Sequence, residues 1–240
     1  MRVLALLFAL LGVAPAAASA PASASPEVIG RSVEGRALRA TRIGDPAAPV
    51  TVLAVGSIHG TERAGHAVIR ALRRAKVPAG VQLWLVTTAN PDATRAGTRQ
   101  NARGVDLNRN FPRRWRAAGR RGGTYHPGPR AASEPETRVM QRLIRRIRPD
   151  RTVWFHQQLR MVNLSSGADP AVVRAYARRV RLPARSLPNY RGTASSWQNH
   201  VHPGSSAFVA ELAAGELGRA GLRRHVRAVL AMGRDSGGRP

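Results

Sequence analysis

Several side chains in this sequence have the types and spacing that hydrolytic chemistry needs. His59 and Glu62 stand three residues apart in Gly-Ser-Ile-His-Gly-Thr-Glu, where an apolar run turns into a helical one. That spacing lets an imidazole and a carboxylate converge on one point at the carboxyl edge of a sheet, a donor pair suited to Zn2+. It suits a plain helix N-terminal turn with a favourable carboxylate equally well. A catalytic metal site needs a third protein ligand and one position left to water, and His156, in Thr-Val-Trp-Phe-His-Gln-Gln, arrives at another strand end. His200 and His202, which follow Trp197 in a loop, are the reserve candidates; His66, His126 and His225 read as solvated or as hydrogen-bonders within the core. Glu211 closes the run Ala-Phe-Val-Ala-Glu, where it is either a surface carboxylate or a base that takes a proton from an activated water and returns it to a leaving amine. Asp106-Leu107-Asn108-Arg109-Asn110-Phe111 forms the centre of a long loop, preceded by Arg99, Gln100 and Asn101. Asn108 and Arg109 side by side can grip a carboxylate through an amide and a guanidinium fork, and Asp106 can orient a ligating imidazole from behind. The alternative for this loop is a polar segment hydrogen-bonded to itself.

Positioning such groups takes several strand ends, and the chain alternates strand-like and helix-like runs without internal repeats. Alternation of this kind predicts an α/β sandwich. Strands are expected at Leu38–Ile43, Thr51–Gly56, Val81–Thr88, Thr152–Phe155 and Ala207–Glu211, where β-branched and large apolar residues cluster between Gly, Pro or Asn breaks. Helices are expected at Thr61–Lys76, Glu134–Arg148, Ala171–Val180 and Leu217–Met232. The second carries a capping-box pattern, Ser133 with Glu136, followed by Val139, Leu143 and Ile147 at helical spacing; Asp169 with Pro170 opens the third. Between Asn90 and Ser133 lies a long stretch of Gly, Arg, Asn and Pro, and a loop of that length in a compact domain usually carries function.

Composition narrows the class. The chain of 240 residues has no cysteine, which excludes a thiol nucleophile, a disulfide and any Cys-based metal site, so a metal must be held by His, Asp or Glu. Its formal charge is +26, nearly all from arginine, since Lys76 is the only lysine. Arg2, an apolar run from Val3 to Val13 and small residues to Ala24 have the grammar of a secretory signal peptide; the apolar run is too short to span a bilayer. Cleavage is expected after Ala18 or Ala24. The expected organisation is a signal peptide and small-residue linker over 1–24, a catalytic domain over 28–232 and a flexible tail over 233–240, with a secreted, periplasmic or cell-wall location and no stable membrane insertion.

Five blocks, in order along the chain, resemble the motifs of the zinc metallocarboxypeptidases, and within them the short bacterial murein peptide amidase branch. They are Ile29–Arg36, His59–Glu62, Asn101–Pro112, Ser133–Glu136 and Phe208–Glu211. Their joint order is far more specific than any one of them. The resemblance implies a single-domain three-layer sandwich, with a mixed, mainly parallel central sheet and helices on both faces. It implies that His59, Glu62 and His156 bind one Zn2+ and that Glu211 is the general base. Arg99 would polarise the scissile carbonyl, Asn108 and Arg109 would hold the free carboxylate of the substrate, and Asp106 would support the first histidine. Tyr190, upstream of Trp197, falls nearest to a mobile tyrosine that covers the substrate in the family. One departure is Leu212-Ala213 where relatives of this branch often have Leu-Pro, and Gln157-Gln158 after His156 sets the site apart from the digestive members.

The expected function is therefore a secreted zinc-dependent peptidase or amidase that cuts a peptide bond next to a residue with a free carboxylate, in cell-wall (murein) peptides. Anionic wall polymers are expected partners, since a basic surface raises encounter with them. An N-acyl amino acid deacylase of the succinylglutamate desuccinylase or aspartoacylase type shares the zinc pair, but Ile29–Arg36 and Phe208–Glu211 favour the peptidase. A non-catalytic basic protein that binds wall polymer or nucleic acid is a third class. Aromatics at 5% are few for base stacking and the arginines are spread along the chain, so no specific nucleic acid is expected.

Overall fold

A computed structural model describes residues 26–164 and 167–234. The expected signal peptide and all but the first two residues of the expected tail lie outside the described residues. Eight strands form one mixed sheet: β1 (Glu27–Arg31), β2 (Ala37–Gly44), β3 (Val50–Val55), β4 (Val81–Val86), β5 (Arg151–Gln157), β6 (Met161–Asn163), β7 (Ala184–Arg185) and β8 (Ser206–Leu212). Their order across the sheet is β1-β2-β4-β3-β5-β8-β6-β7. The centre is parallel, β4 to β3 to β5 to β8, while β1, β2 and β6 join antiparallel. Parallel central strands must be covered on both faces, and helices supply the cover.

The strands' period of two sorts the core into two halves. On one face Val52, Ala54, Val153, Phe155, Phe208 and Ala210 pack against α1 (Ala64–Leu72), α4 (Pro170–Val180) and α6 (Arg219–Ala231). On the other, Leu53, Val55, Trp154 and Val209 meet α3 (Pro135–Ile147) and α5 (Ala194–Val201) through Met140, Leu143, Ile144 and Trp197. The architecture is the expected single-domain three-layer sandwich.

Three strands and two helices were not expected. Strands β6 and β7 have three and two residues, so their pattern carries almost no signal without the edges they pair with, β8 for β6 and β6 for β7. Helix α2 (Pro91–Ala96) sits inside the long loop; its Asn90 cap and Pro91 are regular helix-start residues, but six residues show no periodicity. Helix α5, with Trp197, replaces the loop expected there; its sequence Ala-Ser-Ser-Trp-Gln-Asn-His-Val is poor in helix formers and is held by burial. Helix α1 begins at Ala64 rather than Thr61, which leaves Glu62 in the turn ahead of it. The capping box at Ser133 does not form. The residue capping α3 is Glu134, Ser133 Oγ donates to the Glu134 carboxylate, and Glu136 accepts the Val33 backbone N–H instead. By contrast, Asp169 caps α4 as expected, accepting from the Ala171 N–H at 2.8 Å.

Candidate metal and active site

The carboxyl ends of β3, β5 and β8 bring the chemistry together. Strand β3 ends at Val55, and His59 follows in a turn that packs against α2. A Cβ on Gly60 would lie 2.0 Å from the Ala93 carbonyl carbon, so this approach of turn to helix requires glycine. Asn90 Nδ2 donates to the Ile58 carbonyl from below. The turn closes through the Glu62 N–H to the His59 carbonyl at 3.2 Å, which swings the Glu62 carboxylate back toward the imidazole. His156 on β5 and Glu211 on β8 are direct partners in the parallel register. They alternate with Phe155 and Ala210, which face α1, so both point to the α3 and α5 side.

His59, Glu62 and His156 are all buried, and one donor atom from each lies within 4.8 Å of the others. The Glu62 carboxylate is 2.9 Å from His59 Nδ1 through one oxygen and 2.9 Å from His156 Nδ1 through the other. Behind, His59 Nε2 donates to Asp106 Oδ1 at 3.0 Å, which fixes the ring and leaves Nδ1 turned toward Glu62. Burial pulls the His59 pKa down, but the Asp106 and Glu62 carboxylates outweigh it and hold it above the ordinary value. Burial likewise pushes both acids up, yet His156 and His59 drive Glu62, and His59 and Arg99 drive Asp106, well below the usual carboxylate range. Two carboxylates and two imidazoles thus share one nearly dry pocket. Three N and O donors on one point fit a tetrahedral cation with one position left over.

Arg99 faces the same centre. Its guanidinium donates to Asp106 Oδ2 at 2.9 and 3.2 Å and to Glu62 Oε1 at 3.2 Å. The loop that carries it is tied down at two asparagines the sequence did not single out for this purpose. Asn101 Nδ2 donates to the buried carboxylates of Glu134 and Glu136 at 2.8 and 3.2 Å. Asn110 Nδ2 donates to the Pro127 carbonyl at 2.7 Å and to Ser133 Oγ at 2.9 Å. Between them a 3-10 turn at Leu107–Arg109 presents Asn108 and Arg109 to the cavity, and Asn108 Oδ1 accepts the Ala194 N–H that starts α5. The loop after β7 closes over this turn: the Phe111 N–H donates to the Gly192 carbonyl at 3.0 Å, and a Cβ on Gly192 would sit 2.0 Å from the Arg109 oxygen. Arg109 is therefore stacked beneath two rings, 4.5 Å from the centroid of Tyr190 and 5.1 Å from that of Tyr125.

Glu211 is buried, and its Oε2 has no hydrogen-bond partner among the described residues. Burial raises its pKa, and Glu62 adds to the rise against the opposing pull of His156. A carboxyl group so placed is poised to exchange a proton. His59, Glu62, His156, Glu211, Arg99, Asn108 and Arg109 line one cavity of about 490 Å³, together with Tyr190 and Ser195. The structure thus gathers the whole set of candidates named from the sequence. The reserve histidines are left out: His200 is exposed on α5, and neither it nor His202 lines the cavity. His66 bonds Ser57 Oγ and His225 bonds the Tyr176 hydroxyl, as expected of core hydrogen-bonders.

Sequence reading missed Gln157 as a brace. Its backbone N–H reaches Glu62 Oε2, its Oε1 accepts the first N–H of α1, and its Nε2 donates to the Ala213 and Gly215 carbonyls. One side chain thereby fixes β5, the start of α1 and the loop after β8. Nothing in the dipeptide Gln-Gln signals this, because all its partners are distant in sequence.

Comparison with known proteins agrees with the geometry. The family profile described as zinc carboxypeptidase matches residues 14–207, a span that holds His59, Glu62 and His156 and stops short of Glu211. Murein peptide amidase A of Escherichia coli (strain K12) is 36% identical over 118 residues, which are 45% of this chain and 49% of the relative. Its counterpart from Vibrio campbellii is 32% identical over 130 residues, 50% of this chain and 52% of the relative. The chain thus spans about half the length of the curated relatives it matches. Among solved structures, murein-tripeptide amidase MpaA from Escherichia coli O157 superposes with a TM-score of 0.67 at 27% identity, covering 87% of this chain and 91% of that one. Carboxypeptidase A from Helicoverpa armigera gives a TM-score of 0.74 over 89% of this chain and 69% of its own; at 18% identity it speaks for the fold alone.

Proposed function

Since the chain belongs to the zinc carboxypeptidase family, we propose that it is a secreted metallopeptidase or amidase that hydrolyses the amide bond next to a residue with a free carboxylate, in murein peptides. The observation that carries this is the convergence of His59, Glu62, His156, the unpartnered Glu211 oxygen and the Asn108–Arg109 pair on one cavity.

In this reading His59, Glu62 and His156 hold one Zn2+. Bound there, zinc supplies Lewis-acid polarisation of a carbonyl and a water acidified to a pKa of about 7. The chain's own residues do the rest. Arg109 and Asn108 take the terminal carboxylate, the guanidinium through paired N–H donors and the amide through Nδ2. That anchoring sets the scissile carbonyl between Arg99 and Glu211. Arg99 donates to the oxygen on which negative charge develops; removal of one such donor costs about 3 kcal/mol in the transition state. Glu211 accepts a proton from the attacking water on Oε2 and passes it to the nitrogen of the leaving amine. Asp106 keeps the His59 tautomer fixed throughout, and Tyr190 covers the bound carboxylate through its stacking on Arg109.

Murein as substrate is supported by the murein peptide amidases to which the chain is similar and by the signal-like residues 1–24. The net charge of +26 favours encounter with anionic wall polymers. Among the described residues no helix is long and apolar enough to cross a membrane. The test is product analysis with the zinc-loaded protein on Ala-γ-D-Glu-diaminopimelate and on ordinary C-terminal tripeptides, with and without chelator. Chelator-sensitive release of the diamino acid is expected. Release of amino acids only from the ordinary peptides would remove murein, and no release from either would remove the peptidase.

A further inference from the structure

Tyr125 is a large ring that no core claims. At 59% exposure it is the most open of the large apolar side chains among the described residues, yet the segment that carries it is anchored. The Gly123 carbonyl accepts from Gln100 Nε2 at 3.2 Å, and the His126 carbonyl accepts from the Asp106 N–H at 2.8 Å. Both donors belong to the loop that holds Arg99 and Arg109, so ring and arginines are fixed to one frame. The Arg99 guanidinium carbon lies 5.4 Å from the Tyr125 centroid and that of Arg109 lies 5.1 Å from it. The ring lines the cavity of the metal site, and its hydroxyl makes no hydrogen bond among the described residues.

The two guanidinium groups are held in different ways. Arg99 gives its N–H donors to Asp106 and Glu62, whereas Arg109 bonds no acid and makes one hydrogen bond, from Nη1 to the Asn108 carbonyl. Burial lowers the Arg109 pKa and the charge on Arg99 adds to the fall, against the opposing pull of Asp106. Two cations thus stand close enough to repel each other, with one of them free of any carboxylate partner. An aromatic ring takes a guanidinium by its face and leaves the N–H edge open, while a carboxylate partner would occupy the donors that a substrate needs.

We propose that Tyr125 is a positioning residue that holds Arg99 and Arg109 in register with each other through its ring. The ring offsets their repulsion and sets the separation between the group that grips the terminal carboxylate and the group that polarises the carbonyl of the preceding residue. Tyr190 stacks on Arg109, and only Tyr125 among the described residues is shared by both arginines. This inference rests on the peptidase reading for the roles of the two arginines.

Tyr125→Leu and Tyr125→Phe test it, with turnover of Ala-γ-D-Glu-Lys followed in each. Binding of the same peptide is measured calorimetrically in zinc-loaded protein that also carries Glu211→Gln, so that binding is read whether or not the bond can be cut. Tyr125→Leu should lower kcat/KM about 5- to 30-fold, the scale of two cation–π contacts, through both a higher KM and a lower kcat. Binding should weaken about 2- to 5-fold, the share of Arg109. Tyr125→Phe restores the ring without the hydroxyl and should recover both. In an Arg99→Gln background Tyr125→Leu should lose its effect on kcat, and in an Arg109→Gln background its effect on KM. Equal losses in the Phe and Leu variants would assign the role to the hydroxyl and overturn the inference. A loss that comes with a lower urea midpoint and persists in full in both arginine backgrounds would reduce Tyr125 to a structural residue and overturn it as well. Turnover and binding unchanged in Tyr125→Leu would overturn the inference and leave the peptidase standing. No turnover by the unsubstituted enzyme, with binding weakened in the Leu variant and restored in the Phe variant, would overturn the peptidase and leave the positioning of Arg109.

Discussion

Asp106→Asn is the perturbation whose size can be worked most fully from the structure. Asp106 is completely buried and accepts four hydrogen bonds. Oδ1 receives the His59 Nε2–H at 3.0 Å and the Asn108 backbone N–H at 2.9 Å, and Oδ2 receives Arg99 Nε and Nη2 at 3.2 and 2.9 Å. An asparagine of the same shape has one acceptor oxygen only. If its amide nitrogen takes the Oδ2 position, two guanidinium N–H groups face a donor; if it takes the Oδ1 position, His59 and the Asn108 N–H do. Either orientation loses two bonds and the charge that makes them strong. Removing one partner from a buried ionic network costs about 3 to 5 kcal/mol, and Arg99, a quarter exposed, recovers part of that from water. A stability loss of about 3 kcal/mol is therefore expected by urea denaturation of the metal-free protein. Metal affinity should fall about 10- to 100-fold, because the His59 ring loses the partner that orients it and raises its basicity. Competition against a chelating dye measures that affinity directly. Zinc affinity within twofold of the unsubstituted protein would refute the assignment of Asp106 as the support of a metal ligand, even if stability fell as expected.

Two further outcomes follow from the same geometry. Glu211→Gln removes the proton acceptor but none of the three donors, so it should retain one equivalent of zinc by metal analysis while kcat falls about 10²- to 10⁴-fold; stoichiometric metal with unchanged turnover would dismiss Glu211 as the base. Stability should also fall on acidification because of His225, buried against Phe155 and bonded to the Tyr176 hydroxyl. Burial, with Arg224 adding to it, lowers its pKa to about 4, so below about 6.5 the unfolded chain binds the proton more readily than the fold does. The loss begins near pH 6.5 and is complete near pH 4, with a total of about 3 kcal/mol from this group. His66, held near 4 by burial and by Arg70 and Arg63, acts in the same direction. Urea midpoints from pH 7 to pH 4 measure the sum, and His225→Gln should flatten the profile; an unchanged slope in that variant would show that His225 does not carry it.

The sequence alone determined the secondary structure wherever a run was long enough to show its period. Strands β2, β3, β4, β5 and β8 and helices α1, α3, α4 and α6 were legible because apolar residues repeat along them at two or at three to four. It also pointed to the candidate site: His59, Glu62, His156 and Glu211 each had a plain structural reading alone, and it was their joint order with the Asp106–Arg109 loop, resembling a known family, that singled them out. What the tertiary structure decided depends on partners far apart in the chain. Strand β6 exists because the edge of β8 offers it unpaired backbone, β7 because β6 then offers its own free edge, and α5 because Trp197 is buried between sheet and loop. Glu136, which looked like half of a capping box, instead ties α3 to Val33 and Asn101, contacts 103 and 35 residues away. Gln157 and Tyr125 gained their roles in the same way, from neighbours that only folding supplies. Local periodicity is a property of consecutive residues and can be read from them, whereas a hydrogen bond across the fold belongs to two segments at once and is fixed only when both are in place.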